Sequence, residues 1–338
     1  MNERLRRLAS RAAYPAFYLF AFALFAYWTF PYERVRDRAL LEFERQQATT
    51  PSPPRLEIDR VGPYWFTGLM AKGVHLYSPR PAKPDGKAQA PVDLAFDEVH
   101  ARLSVLPLLL GRVTATFGAQ AFGGSIDGAV RLSGDRRYEL DVDDVELGKL
   151  EPIAAMLDGA PAEGKTRLRL DLTLPEGKAA KATGTFEMTL TNVALFDGKA
   201  VIGGDQGIAP PRLEIGELTM TGEAAEGVLK VTKLSSTGDL ELTGDGKITL
   251  RDSLPDSLVD LSIRFKFSDA FRTRSEKAKI LFGTPAGEVG IVERTDKFRG
   301  AKRADGFYAF RVAGVLRDVG VMPAAGGSKA PAVRGFRE

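Results

Sequence analysis

The chain has 338 residues, of which 47 are Lys or Arg and 44 are Asp or Glu, so its formal net charge is only +3. This near balance argues against nucleic-acid binding driven by bulk charge, and the absence of cysteine excludes disulfides and thiolate metal or redox sites. The 35 glycines and 20 prolines, set between short alternating apolar segments, favour a mainly β body.

The N-terminal region predicts a membrane anchor. Residues 1–11 are basic, and the 21 residues 12–32 carry no charge, which corresponds to a helix about 31 Å long, close to the hydrocarbon thickness of a bilayer. A cleaved signal peptide needs a shorter apolar region and a small-residue cleavage site, and a buried core helix does not explain the flanking arginines. We therefore expect a single transmembrane helix over 12–32, anchored by Tyr14, Phe17, Leu24, Tyr27, Trp28 and Tyr32.

Residues 33–54 connect the anchor to the body. Apolar residues alternate with charged ones in a pattern that predicts an amphipathic helix over 32–47, and the Pro-rich stretch 48–54 ends it as a hinge. Arginines lie on both sides of the predicted span, so the count of basic residues does not fix its orientation.

The stretch Val99–Leu132 shows the pattern that the body repeats. Ile126, Gly128, Val130 and Leu132 alternate with polar or small residues, and Gly123–Gly124 supplies a turn, so we expect a hairpin of an antiparallel sheet. Before it, short strands are predicted over 56–58, 65–69 and 74–76, followed by an exposed loop over 78–91.

The same alternation continues through a β-rich domain that we assign to 55–320. Phase slips at Asp143–Asp144 and at Gly216 predict β-bulges. Helical spacing predicts two short helices, over 150–157 and over 268–282, the second capped by Ser268 or Asp269. A last strand is predicted over 308–316, and the tail 321–338 is expected to be disordered.

Three motifs resemble catalytic or ligand-binding sites. Gly159–Thr166 fits the spacing of a phosphate-binding loop, but a helix precedes it and a strand follows, which is the reverse of the required order. The aspartates of 141–144 lack the glycine and glutamate of a calcium loop. His75 and His100 have no carboxylate or serine partner suggested by spacing. We therefore expect no enzyme activity and no catalytic, cofactor-binding or metal-binding residues. We also expect that the chain does not bind a nucleotide.

Several segments together carry a family resemblance: Trp65–Gly68 with Val74–Leu76, Leu103–Gly111, Gly123–Gly128, Leu170–Gly177 and Tyr308–Gly314. With these segments the chain resembles the type II secretion system protein N family, which is itself similar to the AsmA-like group of inner-membrane-anchored periplasmic β proteins. The resemblance implies a single-pass protein of the bacterial inner membrane, with residues 1–11 in the cytoplasm and the body in the periplasm. It further implies a structural, non-enzymatic accessory subunit that contacts other secretion components.

The apolar face of the predicted sheet is too long for two short helices to cover. The antiparallel sheet either folds into a closed sandwich or curves into an open groove. The wall of such a groove is predicted to be Leu168, Leu170, Leu172, Phe186, Met188, Leu242, Ile248, Ile263 and Phe265. An apolar wall suits acyl chains, and the AsmA-like resemblance implies lipid binding or transfer, with phospholipid as partner, as the alternative function.

Overall fold

The computed structural model describes residues 13–47, 53–79, 92–109, 111–151, 153, 159–201, 208–253, 256–285 and 287–324, apart from 16, 19, 23 and 26. The chain forms two compact units, Met1–Val105 and Leu106–Glu338. The mainly β architecture is confirmed, with three strands in the first unit and eleven in the second. Within each unit, every strand pairs antiparallel with the next strand along the chain.

The first unit begins with helices α1 (Ala13–Thr29) and α2 (Tyr32–Gln47). The helix predicted over 32–47 is present with those bounds. Helix α1 lies within the predicted span 12–32 but ends at Thr29, and α1 and α2 meet at a bend of 61°. Pro31 has no N–H to donate and disfavours helical backbone at Phe30, so Tyr32 begins the second helix instead of ending the first.

Among the described residues, no single helix combines the length and apolar composition of a membrane span. Ala13–Thr29 and Tyr32–Arg45 meet both requirements only as a bent pair. The transmembrane anchor therefore stays a prediction.

Three strands follow in the first unit: β1 (Arg55–Tyr64), β2 (Gly68–Ser78) and β3 (Val92–Leu103). Ile58 pairs with Val74, as a hairpin requires. The strand predicted over 65–69 is wrong, because residues 65–67 form the turn of this hairpin. Trp65 has φ of +51°, a left-handed conformation that a regular strand does not contain, and apolar character alone does not reveal it. A short helix, α3 (Val105–Leu109), comes after β3.

The second unit holds one open sheet whose strand order follows the chain. Its strands are β4 (Thr114–Ala121), β5 (Gly124–Arg131), β6 (Arg136–Glu146), β7 (Ala162–Leu174), β8 (Thr183–Leu195), β9 (Leu213–Ala225), β10 (Val228–Ser236), β11 (Leu240–Thr249), β12 (Leu258–Phe267), β13 (Tyr308–Val315) and β14 (Asp318–Pro323). The β4–β5 hairpin is confirmed. Strand β14 takes up residues 321–323, which were predicted to belong to the tail; residues 325–338 lie outside the described part of the chain.

Both predicted bulges are present. The register between β6 and β7 shifts between Val142 and Val145, where Asp144 has φ of +58°. Gly216 on β9 faces Val193 on β8, and the register shifts on both sides of Val193. A phase slip in an alternating sequence is therefore a reliable sign of a bulge in this chain.

The helical region after β12 is more divided than predicted. The single helix expected over 268–282 is two helices, α4 (Asp269–Thr273) and α5 (Glu276–Phe282), because Ser268 and Ser275 each cap a new N-terminus. Two further helices, α6 (Ile291–Arg294) and α7 (Asp296–Ala301), are too short to show an apolar period. The helix predicted over 150–157 lies largely outside the described residues.

These four short helices cover one end of the apolar side of the sheet. Phe271 of α4 is completely buried and stacks on Phe267 of β12, with ring centroids 5.7 Å apart. Ala301 of α7 and Tyr308 of β13 belong to the same buried cluster. The core of the second unit is therefore concentrated where helices meet strands β8, β9, β12 and β13.

Candidate functional site

The strand register of the second unit places one row of small or apolar residues across all eleven strands. From β4 to β14 the successive partners in this row are Ala115, Val130, Tyr138, Leu172, Gly184, Ala224, Leu229, Ile248, Val259, Gly314 and Val319. Partners in register point to the same side of a sheet. We call the side that carries this row the apolar face.

All nine residues predicted for the groove wall lie on the apolar face. Leu168 and Leu170 pair with Met188 and Phe186 across β7 and β8. Leu172 and Ile248 belong to the row itself, and the remaining three, on β11 and β12, are in phase with it: Leu242, Ile263 and Phe265. Alternation within single strands thus predicts the shared face correctly. The phase slips at Asp143–Asp144 and at Gly216 coincide with bulges, which return the apolar residues after them to the same face of the sheet.

The burial of this face distinguishes an open sheet from a sandwich. Only Leu172 and Phe186 among the nine residues are buried, and the other seven keep intermediate exposure. A closed sandwich buries the inner faces of two packed sheets, whereas all strands of the second unit belong to one sheet. In the part of the chain that the structure describes, the apolar face between β6 and β12 is therefore open except at the end that the helices cover, where the ring centroid of Phe265 lies 6.4 Å from that of Phe298 of α7.

The opposite face is polar, and several of its charges form ion pairs across neighbouring strands. Arg137 donates hydrogen bonds to both carboxylate oxygens of Asp171, at 3.0 and 2.5 Å, and the same geometry joins Arg311 to Asp260, at 2.7 and 3.0 Å. The hydrogen bonds from these guanidinium groups lower the pKa of Asp171 and of Asp260. This face is suited to contact with water, whereas the apolar face is not.

A cavity of about 280 Å³ opens on the apolar face near the first strands of the second unit. Its apolar lining includes Phe117, Val130, Tyr138, Leu140, Leu170, Leu172, Leu174 and Leu250. Two arginines, Arg136 and Arg251, and two carboxylates, Glu139 and Asp252, also line it. Glu139 pairs with Arg137 and Asp252 accepts a hydrogen bond from the Ala179 amide, whereas both arginine side chains are exposed and form no hydrogen bond or ion pair with the described residues. An apolar cavity with free guanidinium groups is suited to a ligand that has an apolar chain and an anionic end.

A second cavity, of about 520 Å³, lies against the polar face. Carboxylates of Glu139, Asp141, Asp171 and Glu187 line it together with Arg169. Among the described residues, no group of three or more His, Asp or Glu side chains has a geometry that could hold a metal ion. The aspartates of 141–144, considered above as the start of a calcium loop, face basic side chains of β7; Arg167 donates to Asp143 at 2.9 Å.

Two other sequence motifs are placed by the structure. Residues 162–166 of the phosphate-loop-like motif lie in strand β7, as the sequence order implies. His75, however, does have a carboxylate partner, because its Nδ1 lies 3.1 Å from both oxygens of Asp93. Asp93 is on β3, 18 residues along the chain, so local spacing does not reveal the pair. His100 stacks on Tyr64, with ring centroids 4.2 Å apart.

The predicted anchor residues divide into two groups. Tyr14, Phe17, Leu24 and Trp28 of α1 are exposed. Tyr27 is half-buried and its ring lies 6.2 Å from that of Phe66, while Tyr32 is half-buried at the start of α2. The site residues predicted from the sequence did not include Arg136, Arg251, Trp65 or Phe66. An unpaired arginine and an exposed aromatic residue in a turn do not belong to a repeating apolar pattern, so the sequence gives no signal for them.

No family model matches this chain, and neither a curated protein nor a solved structure matches it significantly. The resemblance to the type II secretion system protein N family therefore remains a prediction from the sequence.

Proposed function

We propose that this chain is a non-enzymatic accessory component of the bacterial type II secretion machinery, held at the inner membrane with its sheet in the periplasm. The support for this proposal is the resemblance carried by Trp65–Gly68 and the segments described with it. The apolar face of the second unit is its working surface, because this is where the described part of the chain leaves a large apolar area open.

The exposure of α1 supports the membrane-anchored part of the proposal. Large apolar side chains that face water are unfavourable by about 1.5–3 kcal/mol each relative to burial. Helix α1 exposes several of them along its length: Tyr14, Phe17, Tyr18, Phe20, Phe22, Phe25 and Trp28. A lipid environment removes this cost, and the basic residues of 1–11 are suited to the cytoplasmic side.

The apolar face favours a second function, which is to hold the acyl chains of a phospholipid. Acyl chains gain about 0.8 kcal/mol for each methylene that leaves water, and the half-buried wall offers them a continuous surface. At the 280 Å³ cavity, Arg136 and Arg251 have no partner among the described residues and can donate hydrogen bonds to an anionic headgroup, whereas the carboxylates of Glu139 and Asp252 there have partners of their own. The two functions are compatible, because a secretion component can bind lipid.

One experiment distinguishes the secretion function from the lipid function. The tagged full-length protein is cross-linked gently in native membranes, purified, and analysed for both proteins and lipids. The secretion function predicts recovery of other secretion components, and the recovery of none counts against it. The lipid function predicts co-purifying phospholipid, with less anionic phospholipid bound by the double variant Arg136→Gln/Arg251→Gln. A folded protein that carries no phospholipid and excludes it when added contradicts the lipid function alone.

A further inference from the structure

The turn between β1 and β2 exposes two large aromatic side chains. We call residues Trp65, Phe66 and Thr67 the β1–β2 tip. The Trp65 side chain is 65% exposed and Phe66 is 86% exposed. Trp65 also has φ of +51°, a conformation that costs an ordinary L-residue free energy and that glycine adopts readily. Packing within the first unit therefore does not account for a tryptophan and a phenylalanine at these positions.

The β1–β2 tip lies beside the C-terminal end of α1. The Phe66 ring centroid is 6.2 Å from that of Tyr27, and Trp28 is the next residue along the helix. Tyr27 and Trp28 are aromatic residues of the kind that concentrate where a membrane helix leaves the hydrocarbon region. The tip is thus at the level along α1 where a bilayer interface is expected.

The position of the tip is fixed by contacts inside the first unit. Thr67 Oγ1 donates a hydrogen bond to the Leu103 carbonyl at 2.7 Å. Arg36 of α2 donates to the Asp59 carbonyl of β1 at 3.4 Å, which joins the helix to the hairpin. In addition, the Arg102 guanidinium lies 5.8 Å from the centre of the Trp65 ring, a cation–π geometry that leaves a positive charge next to the tip.

We propose that the β1–β2 tip is a second membrane contact, in which Trp65 and Phe66 insert into the interfacial region of the bilayer that holds α1. This inference rests on the proposed anchor. Indole and phenyl rings partition favourably into the interface. A tip inserted beside α1 fixes the first unit against the membrane surface and prevents free rotation about the anchor.

The two tryptophans of the chain allow a direct test. The full-length Trp28→Phe protein, in which Trp65 is the single tryptophan, is reconstituted into phosphatidylcholine vesicles with bromine at shallow or at deep acyl positions, and tryptophan is excited selectively. We expect blue-shifted Trp65 emission that shallow bromines quench more than deep ones. The added change Phe66→Ser is expected to reduce both the shift and the quenching, because it removes one of the two inserted rings.

The matched Trp65→Phe protein reports on Trp28, and so on the anchor itself. Quenching of Trp28 without quenching of Trp65 overturns the tip proposal and leaves the anchor intact. Absence of quenching at both tryptophans overturns the anchor together with the tip.

Discussion

Phe186 on β8 covers the backbone of Gly222 on β9. A Cβ atom at Gly222 would lie 2.4 Å from Phe186 Cε1 and 2.6 Å from the Lys230 carbonyl oxygen. Phe117 covers its register partner Gly128 in the same way, with Cζ 2.3 Å from the place of a Cβ. On the apolar face, glycine therefore provides room for an aromatic ring from the neighbouring strand.

Gly222→Ala is expected to destabilise the second unit. The added methyl group forces both the Phe186 ring and the backbone to move, and overpacking of this kind costs about 1–3 kcal/mol. The matched control is Gly62→Ala on β1, where a Cβ meets nothing within 4 Å. Thermal unfolding of both variants checks the prediction; equal midpoints for Gly222→Ala and the wild type would show that the face is loosely packed.

Glu293→Gln is expected to loosen the helices against the sheet. Glu293 is only 6% exposed, accepts a hydrogen bond from the Tyr308 hydroxyl, and accepts another from Lys302 Nζ at 2.6 Å. Burial opposes ionisation of this carboxyl, but the two hydrogen bonds and the nearby charges of Lys302 and Arg272 together outweigh it and lower the pKa of Glu293. Loss of the charge weakens the hydrogen bond from the buried Tyr308 hydroxyl and removes the ion pair with Lys302, at a cost of about 1–3 kcal/mol.

The control for Glu293→Gln is Glu276→Gln. Glu276 is highly exposed and pairs with Lys279 at the surface, so its loss is expected to change stability by less than about 0.5 kcal/mol. Denaturant unfolding of the two variants measures the difference. Similar midpoints for both would contradict a structural role for the buried carboxylate.

The polar face is expected to make the fold sensitive to acid. The pKa values of Asp171 and Asp260 are lowered in the folded state, so the unfolded chain binds protons more readily as the pH falls. Their contribution to stability is thus present above the ordinary aspartate pKa of 3.8 and is lost as the pH falls through the lowered values. The measurement is the thermal midpoint between about pH 6 and about pH 2.

Arg137→Gln is expected to flatten this acid dependence, because Arg137 is the cause of the lowered pKa of Asp171. The neighbouring Arg136→Gln serves as control, since the Arg136 side chain has no ion pair with the described residues. If both variants keep the wild-type pH profile, the Arg137–Asp171 pair does not contribute to stability.

Leu24→Arg is expected to impair membrane integration. A charge near the middle of a span costs about 2.5–3.5 kcal/mol on insertion scales. Leu41→Arg in α2, where the leucine is exposed outside the predicted span, is expected to integrate normally. Fractionation with alkaline washing compares them, and stable membrane association of Leu24→Arg would remove the main support for the anchor.

The alternation of apolar and polar residues predicts the strands of this protein better than the local sequence predicts its turns. The common face of Leu168, Phe186 and Ile263 follows from alternation alone, because each strand of an open meander pairs with its neighbour in sequence. The turn at Trp65 resembles a strand in composition, and only its backbone conformation reveals the difference. Short helices such as α6 and α7 are equally hidden, since fewer than two turns show no period.

The candidate site is likewise only partly predictable from the sequence. The apolar wall is predictable because it depends on local alternation, whereas the two arginines at the cavity come from distant parts of the chain: Arg136 begins β6 and Arg251 follows β11. Arg136 and Arg251 are more than one hundred positions apart in the chain and line the same cavity. The His75–Asp93 pair is likewise a product of pairing between β2 and β3.

Photocrosslinking at neighbouring positions on opposite faces tests most directly whether the apolar face is the working surface. A photoreactive amino acid is placed at Leu242 or Ile263 on the apolar face, and at Thr243 or Ser262, the adjacent residues on the polar face. After irradiation of the full-length protein in native membranes, we predict adducts with phospholipid or with a secretion component at Leu242 and Ile263 only. Adducts confined to Thr243 and Ser262, or adducts at none of the four positions, would contradict the proposal.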